Sequence, residues 1–244
     1  MIVVLPPSET KTEGGTGVLA LDALVFPSLT GRRRRAMAAA RRIPLRDAAT
    51  VLKLGPRSAH EAGWNRALST SPVRPAIERY AGVLYEGLDA ASLDGGATGW
   101  LERHVLLASA MFGLLRPSDP IPAYRLSAST PLPALPLKGL WSGALPAALA
   151  STGEWVLDAR SSAYAALGPA PAGSAILHVE SEDPDGRRRA LNHFNKHGKG
   201  ELVRGLARSG AEVASRDELL AWGADAGVRL EPRGEQDVVL VLPA

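Results

Sequence analysis

A short polar loop that follows an apolar run is the first feature with chemical potential. Residues 1–5, MIVVL, stop at two prolines, and the following PPSETKTEGG places Ser8, Glu9 and Lys11 before two glycines. In α/β proteins, ligands bind beyond the carboxyl ends of the strands. The loop therefore predicts a site for an anionic or polar ligand, with an ordinary turn carrying a surface lysine as the alternative. It is not a Walker loop, because the Gly-Lys-Ser/Thr order is missing.

A proline-stiffened loop in the middle of the chain carries two arginines. The stretch MFGLLRPSDPIPAYRL contains Arg116, Asp119, Tyr124 and Arg125. A guanidinium group in a rigid loop can bind phosphate or carboxylate through two parallel hydrogen bonds at little ordering cost. We therefore predict that both arginines belong to one wall of an anion-binding cleft, with Asp119 orienting one of them. The alternative is a structural Arg–Asp pair that only pins the loop.

The third candidate is a helix start that is rich in lysine and glycine. LNHFNKHGKGELVRGL places His193, Lys196, His197 and Lys199 at or before the first turn of a helix expected over residues 195–209. Exposed N–H groups and nearby lysines suit a phosphate, and we expect the glycines to let a ligand approach the backbone closely. The two histidines have the spacing of a metal pair. Neither an HExxH glutamate nor a third ligand is evident, so we predict no metal.

Positive charge is concentrated near the amino end. Residues 1–80 hold 13 Lys and Arg against 6 Asp and Glu, whereas the remainder holds 15 against 19. Residues from about 31 to 69 predict a basic helical cluster with a glycine-containing hairpin, a geometry that contacts phosphates without reading bases. A solvated, arginine-biased helix face is the alternative. The residues that we expect to contact the DNA backbone are Arg34, Arg35, Lys53 and Arg57.

The scaffold that positions these segments is predicted to be α/β, with α+β as the alternative. Helical segments separate five apolar, β-branched runs, which indicates a mixed central sheet surrounded by helices. No repeat or boundary divides the chain, so we expect a single domain over residues 1–244, with the basic helical cluster inserted after the first strand. The candidate strands are residues 1–5, 105–109, 155–159, 175–179 and 237–242.

Composition excludes several classes of protein. The chain has no cysteine, which removes disulfides, thiolate nucleophiles, iron–sulfur clusters and thiol-bound zinc. No stretch approaches the roughly 20 apolar residues of a membrane span and no leader is evident, so we expect a cytoplasmic protein without a membrane partner. No Ser-His-Asp order, deaminase signature or GxGxxG is present, so we predict no cofactor and no standard catalytic class.

Taken together, the motifs resemble the YaaA family of bacterial peroxide stress proteins. The matching blocks follow the family's order across nearly the whole chain: PPSETKT, LYEGL, FGLLRPSDPIPAYRL, LKGLWS, DARSSAY and KHGKG. The resemblance implies one α/β domain with a helix-hairpin-helix-like element and a positively charged cleft. It also implies binding of duplex and unpaired DNA, and protection of DNA from oxidative damage through restraint of free iron. The residues on family motif positions are Lys11, Arg116, Tyr124, Arg125, Lys196 and Lys199.

Two functions remain open at this point. The first is a DNA-binding oxidative stress protein, with nucleic acid as a largely sequence-independent partner and an anion-binding cleft. The second is an enzyme that acts on a small phosphorylated or nucleobase-like molecule in the same cleft, with Glu9 or Asp119 as base and Lys11 as acid. The ligand-binding residues expected in either case are Ser8, Lys11, Arg116, Tyr124, Arg125, Lys196 and Lys199.

Overall fold

A largely parallel sheet forms the centre of the computed structural model, which describes residues 1–132, 135–189 and 194–243. Its strands were visible in the sequence as apolar runs because the central ones are buried on both faces and do not alternate with polar residues. The strands are β1 (Ile2–Leu5), β2 (Val73–Pro75), β3 (Val105–Ser109), β4 (Gly113–Leu115), β5 (Pro120–Pro122), β6 (Val156–Asp158), β7 (Ala175–Glu182), β8 (Arg188–Arg189), β9 (Leu230–Arg233) and β10 (Asp237–Pro243).

The main sheet has the strand order β4-β3-β1-β6-β7-β10-β9, and β8 pairs with β7. Strands β3, β1, β6, β7 and β10 run parallel to their neighbours in this order, whereas β4, β8 and β9 pair antiparallel. Strands β2 and β5 form a separate antiparallel pair. The mixed sheet confirms the predicted fold class.

Helices surround the sheet. No helix in the described ranges is both long and apolar enough to cross a membrane. Short 3₁₀ helices cover Leu21–Ala23, Pro27–Leu29, Pro56–Arg66 and Ala90–Ser92. The α-helices are α1 (Thr30–Arg41), α2 (Leu45–Val51), α3 (Ala76–Arg79), α4 (Val83–Leu88), α5 (Gly95–His104), α6 (Leu137–Trp141), α7 (Ala144–Ala150), α8 (Ser162–Ala165), α9 (Phe194–Ser209) and α10 (Arg216–Ala226).

Two helices begin at side-chain caps that the sequence supplies. Asp94 Oδ1 accepts a hydrogen bond of 2.8 Å from the Ala97 backbone N–H at the start of α5. Ser215 Oγ accepts one of 3.2 Å from the Glu218 N–H at the start of α10, and Glu218 in return accepts from the Ala214 N–H. These bonds satisfy N–H groups that a helix start leaves without partners.

The core fills both sides of β1 and β3. Its largest side chains are Trp100 and Trp141, both fully buried. Each indole N–H donates to a backbone carbonyl, that of Ala211 for Trp100 and that of Ala110 for Trp141. Burial of these rings therefore leaves no indole donor unpaired, and both faces of the sheet are covered.

The predicted basic helical cluster consists of α1, α2 and the 3₁₀ helix Pro56–Arg66. The hairpin between the last two places Lys53, not Gly55, in the left-handed region, with φ values of 55° and −78°. Because the second helix is 3₁₀ in type and its turn differs, this element departs from two α-helices joined at a glycine.

Candidate functional site

A cleft of ≈ 480 Å³ lies at the carboxyl edge of the parallel strands. We call it the Ser8 cleft. Four segments line it: the loop after β1, the start of α4, the region of Ser161 and Tyr164, and the first two turns of α9. Val4 of β1 pairs in register with Asp158 of β6, so the segments that follow these two strands leave the sheet side by side. The strand-end location expected for Ser8 and Glu9 is therefore what the sheet topology produces.

The loop after β1 is held in place by the segment between α3 and α4. The Ala81 N–H donates to the Thr10 carbonyl and the Thr12 N–H donates to the Arg79 carbonyl. Gly82 adopts φ 113°, and a side-chain carbon there would lie 3.2 Å from Ser8 Oγ. A glycine at this position thus lets the chain turn into α4 beside the Ser8 hydroxyl.

Lys11 is buried beneath this loop. Its Nζ donates to the carbonyls of Ser8 (2.9 Å) and Glu9 (3.1 Å), and it lies 4.5 Å from the centre of the Tyr124 ring. Burial lowers the pKa of Lys11 to about 8, although the Glu9 carboxylate acts in the opposite direction. Lys11 therefore stabilises the loop that lines the Ser8 cleft, because it holds the Ser8 and Glu9 carbonyls in place from the buried side.

A buried tyrosine network supports Lys11. The hydroxyls of Tyr80 and Tyr124 are 2.7 Å apart, and the Tyr124 hydroxyl is 2.8 Å from Ser109 Oγ. Burial raises the pKa of Tyr80 to about 12 and raises that of Tyr124 as well. Tyr124 is fully buried. Tyr124 therefore lies one layer below the cleft surface and supports the residues above it. Its expected contact with a ligand stays a prediction.

Arg125 lies beside the cleft, and its guanidinium group already contacts carboxylates of the protein. Its Nε contacts the Glu61 carboxylate, and its Nη1 is 4.0 Å from the Glu9 carboxylate. The side-chain amide of Asn65 donates to the Arg125 carbonyl (2.7 Å) and accepts from the Arg125 N–H (3.0 Å). Trp64 has its ring centre 6.0 Å from the guanidinium carbon. These contacts fix Arg125 to the 3₁₀ helix Pro56–Arg66.

A second depression of ≈ 380 Å³ adjoins the Ser8 cleft. We call it the Lys53 depression, because Lys53 and Arg125 are its two cations. It shares Glu9, Ser161 and Tyr164 with the cleft, and the hydroxyls of Ser127 and Ser129 line its remaining side. Lys53 is thereby connected to the cleft, a link that the sequence did not predict.

Arg116 and Asp119 lie apart from the cleft. Strands β3 and β4 form an antiparallel hairpin, with Leu107 opposite Leu115, which carries the chain back toward the amino end of β3. There Arg116 donates to the Arg103 carbonyl (2.8 Å), and Asp119 accepts from the N–H groups of Val25 and Arg116. Burial raises the pKa of Asp119. These contacts favour the alternative in which Arg116 and Asp119 only hold their loop in place. Of the four residues predicted in this loop, Tyr124 and Arg125 lie near the carboxyl edge of the sheet.

The first two turns of α9 supply the lysines of the cleft. Lys196 is exposed, while Lys199 is half-buried and donates to the Ala159 carbonyl at 2.8 Å. Burial lowers the pKa of Lys199 to about 8, with Asp158 as the opposing influence. Neither lysine forms an ion pair with a carboxylate of the described ranges. Two cations therefore line the cleft on one turn of a helix.

The glycines of α9 serve helix packing, and the expectation that they admit a ligand is wrong. A side-chain carbon at Gly200 would lie 2.1 Å from the Leu84 carbonyl oxygen of α4, and one at Gly198 would lie 2.5 Å from Leu242. Gly87 of α4 faces the His197 carbonyl at 2.5 Å in the same way. The small residues let α4 and α9 approach closely, which brings both helix starts to the cleft.

The histidines of this segment contribute no metal site to the described ranges. His197 Nδ1 lies 3.2 Å from the Glu201 carboxylate one turn along α9. His193 lies outside the described residues. Where the structure describes the chain, no group of three His, Asp or Glu side chains is arranged to hold a metal ion.

Of the four residues predicted to contact DNA, the structure places one at the candidate site. Arg34 on α1 is exposed and pairs with Asp22 at 3.0 Å. Arg35 and Arg57 are exposed, and Lys53 lies at the depression beside the cleft. Only Lys53 of this set is brought to the candidate site, so a role for the other three stays a prediction.

Several cleft residues were not predicted from the sequence. Tyr85, whose hydroxyl donates to the Pro6 carbonyl at 2.9 Å, lines the cleft together with Gly82 and Asn195. A buried side-chain oxygen of Asn195, Oδ1, has no hydrogen-bond partner. The available signal was the LYEGL block, which begins immediately after Gly82 and Val83 but carries no residue of obvious chemistry.

Comparison with known proteins extends over the segments that build this site. The family described as peroxide stress protein YaaA matches residues 1–232. A UPF0246 protein of Corynebacterium glutamicum is 42% identical over 250 residues, which cover 99% of this chain and 100% of that protein. A UPF0246 protein of Streptomyces coelicolor is 36% identical over 245 residues, 95% of this chain and 92% of that protein. A Shewanella loihica UPF0246 protein is 25% identical over 240 residues, 91% of this chain and 90% of its own.

The matched range contains every segment that lines the Ser8 cleft. It also contains both strands, β1 and β6, whose carboxyl ends place the cleft at the sheet edge. The resemblance drawn from the sequence blocks is thereby confirmed, and this chain belongs to the YaaA family of peroxide stress proteins.

Proposed function

We propose that this protein binds DNA as part of the peroxide stress response and that the Ser8 cleft holds the phosphate backbone of an unpaired or distorted strand. The observation that carries the proposal is the pair of lysines, Lys196 and Lys199, on one turn of α9 at the cleft. Backbone contacts of this kind give affinity that is largely independent of base sequence.

The electrostatics of the cleft support an anionic ligand. The start of α9 contributes the partial positive charge of a 16-residue helix, next to the two lysine side chains. The opposing charge is the exposed Glu9 carboxylate, which lies 4.0 Å from Arg125. Because the positive groups exceed this single carboxylate, we expect phosphate to bind at the α9 side of the cleft and not beside Glu9.

The Lys53 depression supports a ligand longer than one nucleotide. It adjoins the cleft and adds Lys53 and the hydroxyls of Ser127 and Ser129, all of which can bond to phosphate oxygens. We infer that the hairpin that carries Lys53 takes the role expected of the helix-hairpin-helix-like element, with a 3₁₀ helix in place of the second α-helix. We infer that a strand runs from the Ser8 cleft to this hairpin, with phosphates at both ends of the path.

Fluorescence anisotropy with labelled single-stranded and duplex oligonucleotides tests the proposal. We expect Lys196→Ala to weaken binding similarly for different sequences and to reduce the slope of log K against log salt by about 1. Lys138→Ala, a change at an exposed lysine of α6, is the matched control and should leave both quantities unchanged. Equal effects of the two variants, or no affinity of the unaltered protein at low salt, would contradict the proposal.

A second candidate function is an enzyme for a small phosphorylated or nucleobase-like substrate. The observation in its favour is the cleft volume, ≈ 480 Å³, which falls within the range typical of small-molecule sites. Glu9 lines the cleft, whereas Asp119 does not, so Glu9 is the better placed of the two candidate bases. Mass spectrometry of small molecules released from the purified, denatured protein distinguishes this function, because a backbone-binding protein should release none of defined mass.

A further inference from the structure

Lys199 has an environment that phosphate binding alone does not require. Its amine reaches the Ser8 cleft from a half-buried position and donates one hydrogen bond, to the Ala159 carbonyl at 2.8 Å. Lys196, three residues earlier, is exposed to solvent at the same cleft. The two lysines therefore differ in solvation, although they face the same ligand space.

Asp158 is the carboxylate that most affects the charge of Lys199, but its oxygens are already bonded to Arg160. Asp158 Oδ1 accepts from Arg160 Nε at 2.8 Å, and Asp158 Oδ2 accepts from Arg160 Nη2 at 2.7 Å. Both residues are buried, so this bidentate pair is shielded from water. In the described part of the chain Lys199 has no carboxylate within ion-pair distance. A buried amine without a counter-ion loses its proton more readily than an exposed one, consistent with a pKa of about 8.

The backbone that carries Lys199 is fixed. The neighbouring Gly200 lies against the Leu84 carbonyl of α4, and Gly87 of α4 lies against the His197 carbonyl. These close approaches on either side of Lys199 leave α9 no room to move closer to α4. The amine therefore meets a ligand from a defined direction, which favours reaction as well as binding.

We propose that Lys199 forms a reversible imine with an aldehyde that carries a phosphate group, while Lys196 binds the phosphate. This inference rests on the proposed function, because it uses the same cleft and the same anion. The amine nitrogen attacks the carbonyl carbon, a C–N bond forms, and the carbonyl oxygen takes a proton to give a carbinolamine. Loss of water then yields the imine, with no oxidant or reductant required.

Two sources present this chemistry. One is a small phosphorylated aldehyde, and the other is the ring-opened sugar of a nucleotide that has lost its base within a strand. Both place an aldehyde a few bonds from a phosphate. The cleft volume of ≈ 480 Å³ suits either one, and the Lys53 depression adds contacts only for the strand.

Reductive trapping tests the inference on the complete chain. The protein is incubated with pyridoxal 5′-phosphate, or with an oligonucleotide containing one base-free site, and reduced with cyanoborohydride before peptide mapping. A lysine with a pKa of about 8 has a neutral fraction near pH 7.5 on the order of 100-fold larger than an ordinary lysine. We expect label at Lys199 to exceed that at any exposed lysine by roughly 10-fold.

Three controls sharpen the test. Lys199→Arg keeps the positive charge but cannot form an imine, so the label at this peptide should disappear. Lys138→Arg, at an exposed position of α6, should leave labelling of Lys199 unchanged. Lys196→Ala should reduce labelling of Lys199 by pyridoxal 5′-phosphate, because the proposed phosphate contact is removed. Comparing labelling by pyridoxal 5′-phosphate with labelling by the oligonucleotide that contains a base-free site, at equal concentration, identifies which source is preferred.

Equal labelling of exposed lysines and Lys199 by both probes would overturn the inference. Binding of an intact oligonucleotide by the same protein sample is measured separately by anisotropy. If the oligonucleotide binds and Lys199 is not labelled selectively, the imine fails and the proposed function stands. If neither occurs, both fail. Because the map of the unaltered protein decides the outcome, the result does not depend on the folding of any variant.

Discussion

The arginine-rich helix α1 and the lysine-bearing start of α9 both concentrate positive charge, yet they use it differently. Arg33 of α1 is fully buried and donates to the carbonyls of Phe112, Leu114 and Val25. The first two turns of α9 instead present Lys196 and Lys199 to a cleft. One region uses a buried guanidinium to hold loops together, and the other places its two cations at the surface of a cleft.

A count of charges along the sequence does not locate the candidate site. The RRRR run contributes strongly to the positive balance of the first 80 residues. Within it, however, Arg33 is enclosed and Arg34 pairs with Asp22. An arginine has five N–H donors and suits several carbonyls at once, whereas a lysine keeps a compact, mobile charge. Partners and burial, not abundance, separate the structural cations from those of the site.

The largest effect is expected from removing the buried guanidinium. Arg33→Met should lower the free energy of unfolding by about 3 kcal/mol or more, because several buried carbonyls lose their donor. Arg34→Ala, at the exposed neighbour, should change it by about 0–1 kcal/mol. Urea denaturation of both variants measures the difference. Similar values for the two would show that the two arginines are not distinct in role.

The close packing that positions the lysines is tested by Gly200→Ala. The added carbon would lie 2.1 Å from the Leu84 carbonyl, so α4 and α9 must separate, and we expect a loss of about 1–3 kcal/mol. Gly139→Ala in α6 meets no atom within 4 Å and should instead stabilise by up to about 1 kcal/mol. Thermal and urea unfolding check the opposite signs. A neutral Gly200→Ala would mean that the helices adjust without cost.

The smallest effect concerns the buried amine under the cleft. Lys11 has a pKa of about 8 in the folded protein, below its unfolded value near 10.4, so the unfolded chain binds more protons between these values. Stability should therefore rise with pH above about 8, by at most about 1.4 kcal/mol per pH unit from this group. Lys199 adds a similar contribution.

Lys11→Met should reduce this slope between pH 8 and about 9.5, below the range in which tyrosines ionise. Urea denaturation at several pH values, with Lys138→Met as the exposed control, measures it. An unchanged slope in Lys11→Met would show that Lys11 keeps its ordinary pKa, and the description of its buried environment would have to be revised.

The strands of the central sheet could be predicted from the sequence, because strands buried on both faces form continuous apolar runs. Residues 105–109 were predicted as a strand and form β3 over the same range. Strands β2 and β5 were not predicted, since β2 ends in a proline and β5 begins and ends in one, and proline is unfavourable inside a sheet. The ladder between them nevertheless forms, at a two-stranded edge where missing N–H donors are tolerated.

The site was only partly accessible. Ser8, Glu9, Lys196 and Lys199 were identified because polar residues followed a strand or began a helix. The burial of Lys11 and the separation of Arg116 depend on contacts far apart in the sequence, such as the hairpin that reverses the chain after β3. The role of the α9 glycines was missed for the same reason, because only the approach of α4 reveals it.

The two-way hydrogen bonding between Asn65 and the backbone of Arg125 has a kinetic consequence. It joins the 3₁₀ helix that follows the Lys53 hairpin to the segment of Arg125, so the positions of Lys53 and Arg125 at the Lys53 depression are coupled. A polyanion that touches both would find its contacts already at fixed spacing. Capture should then be limited by diffusion and ionic strength, with little delay for local rearrangement of the protein.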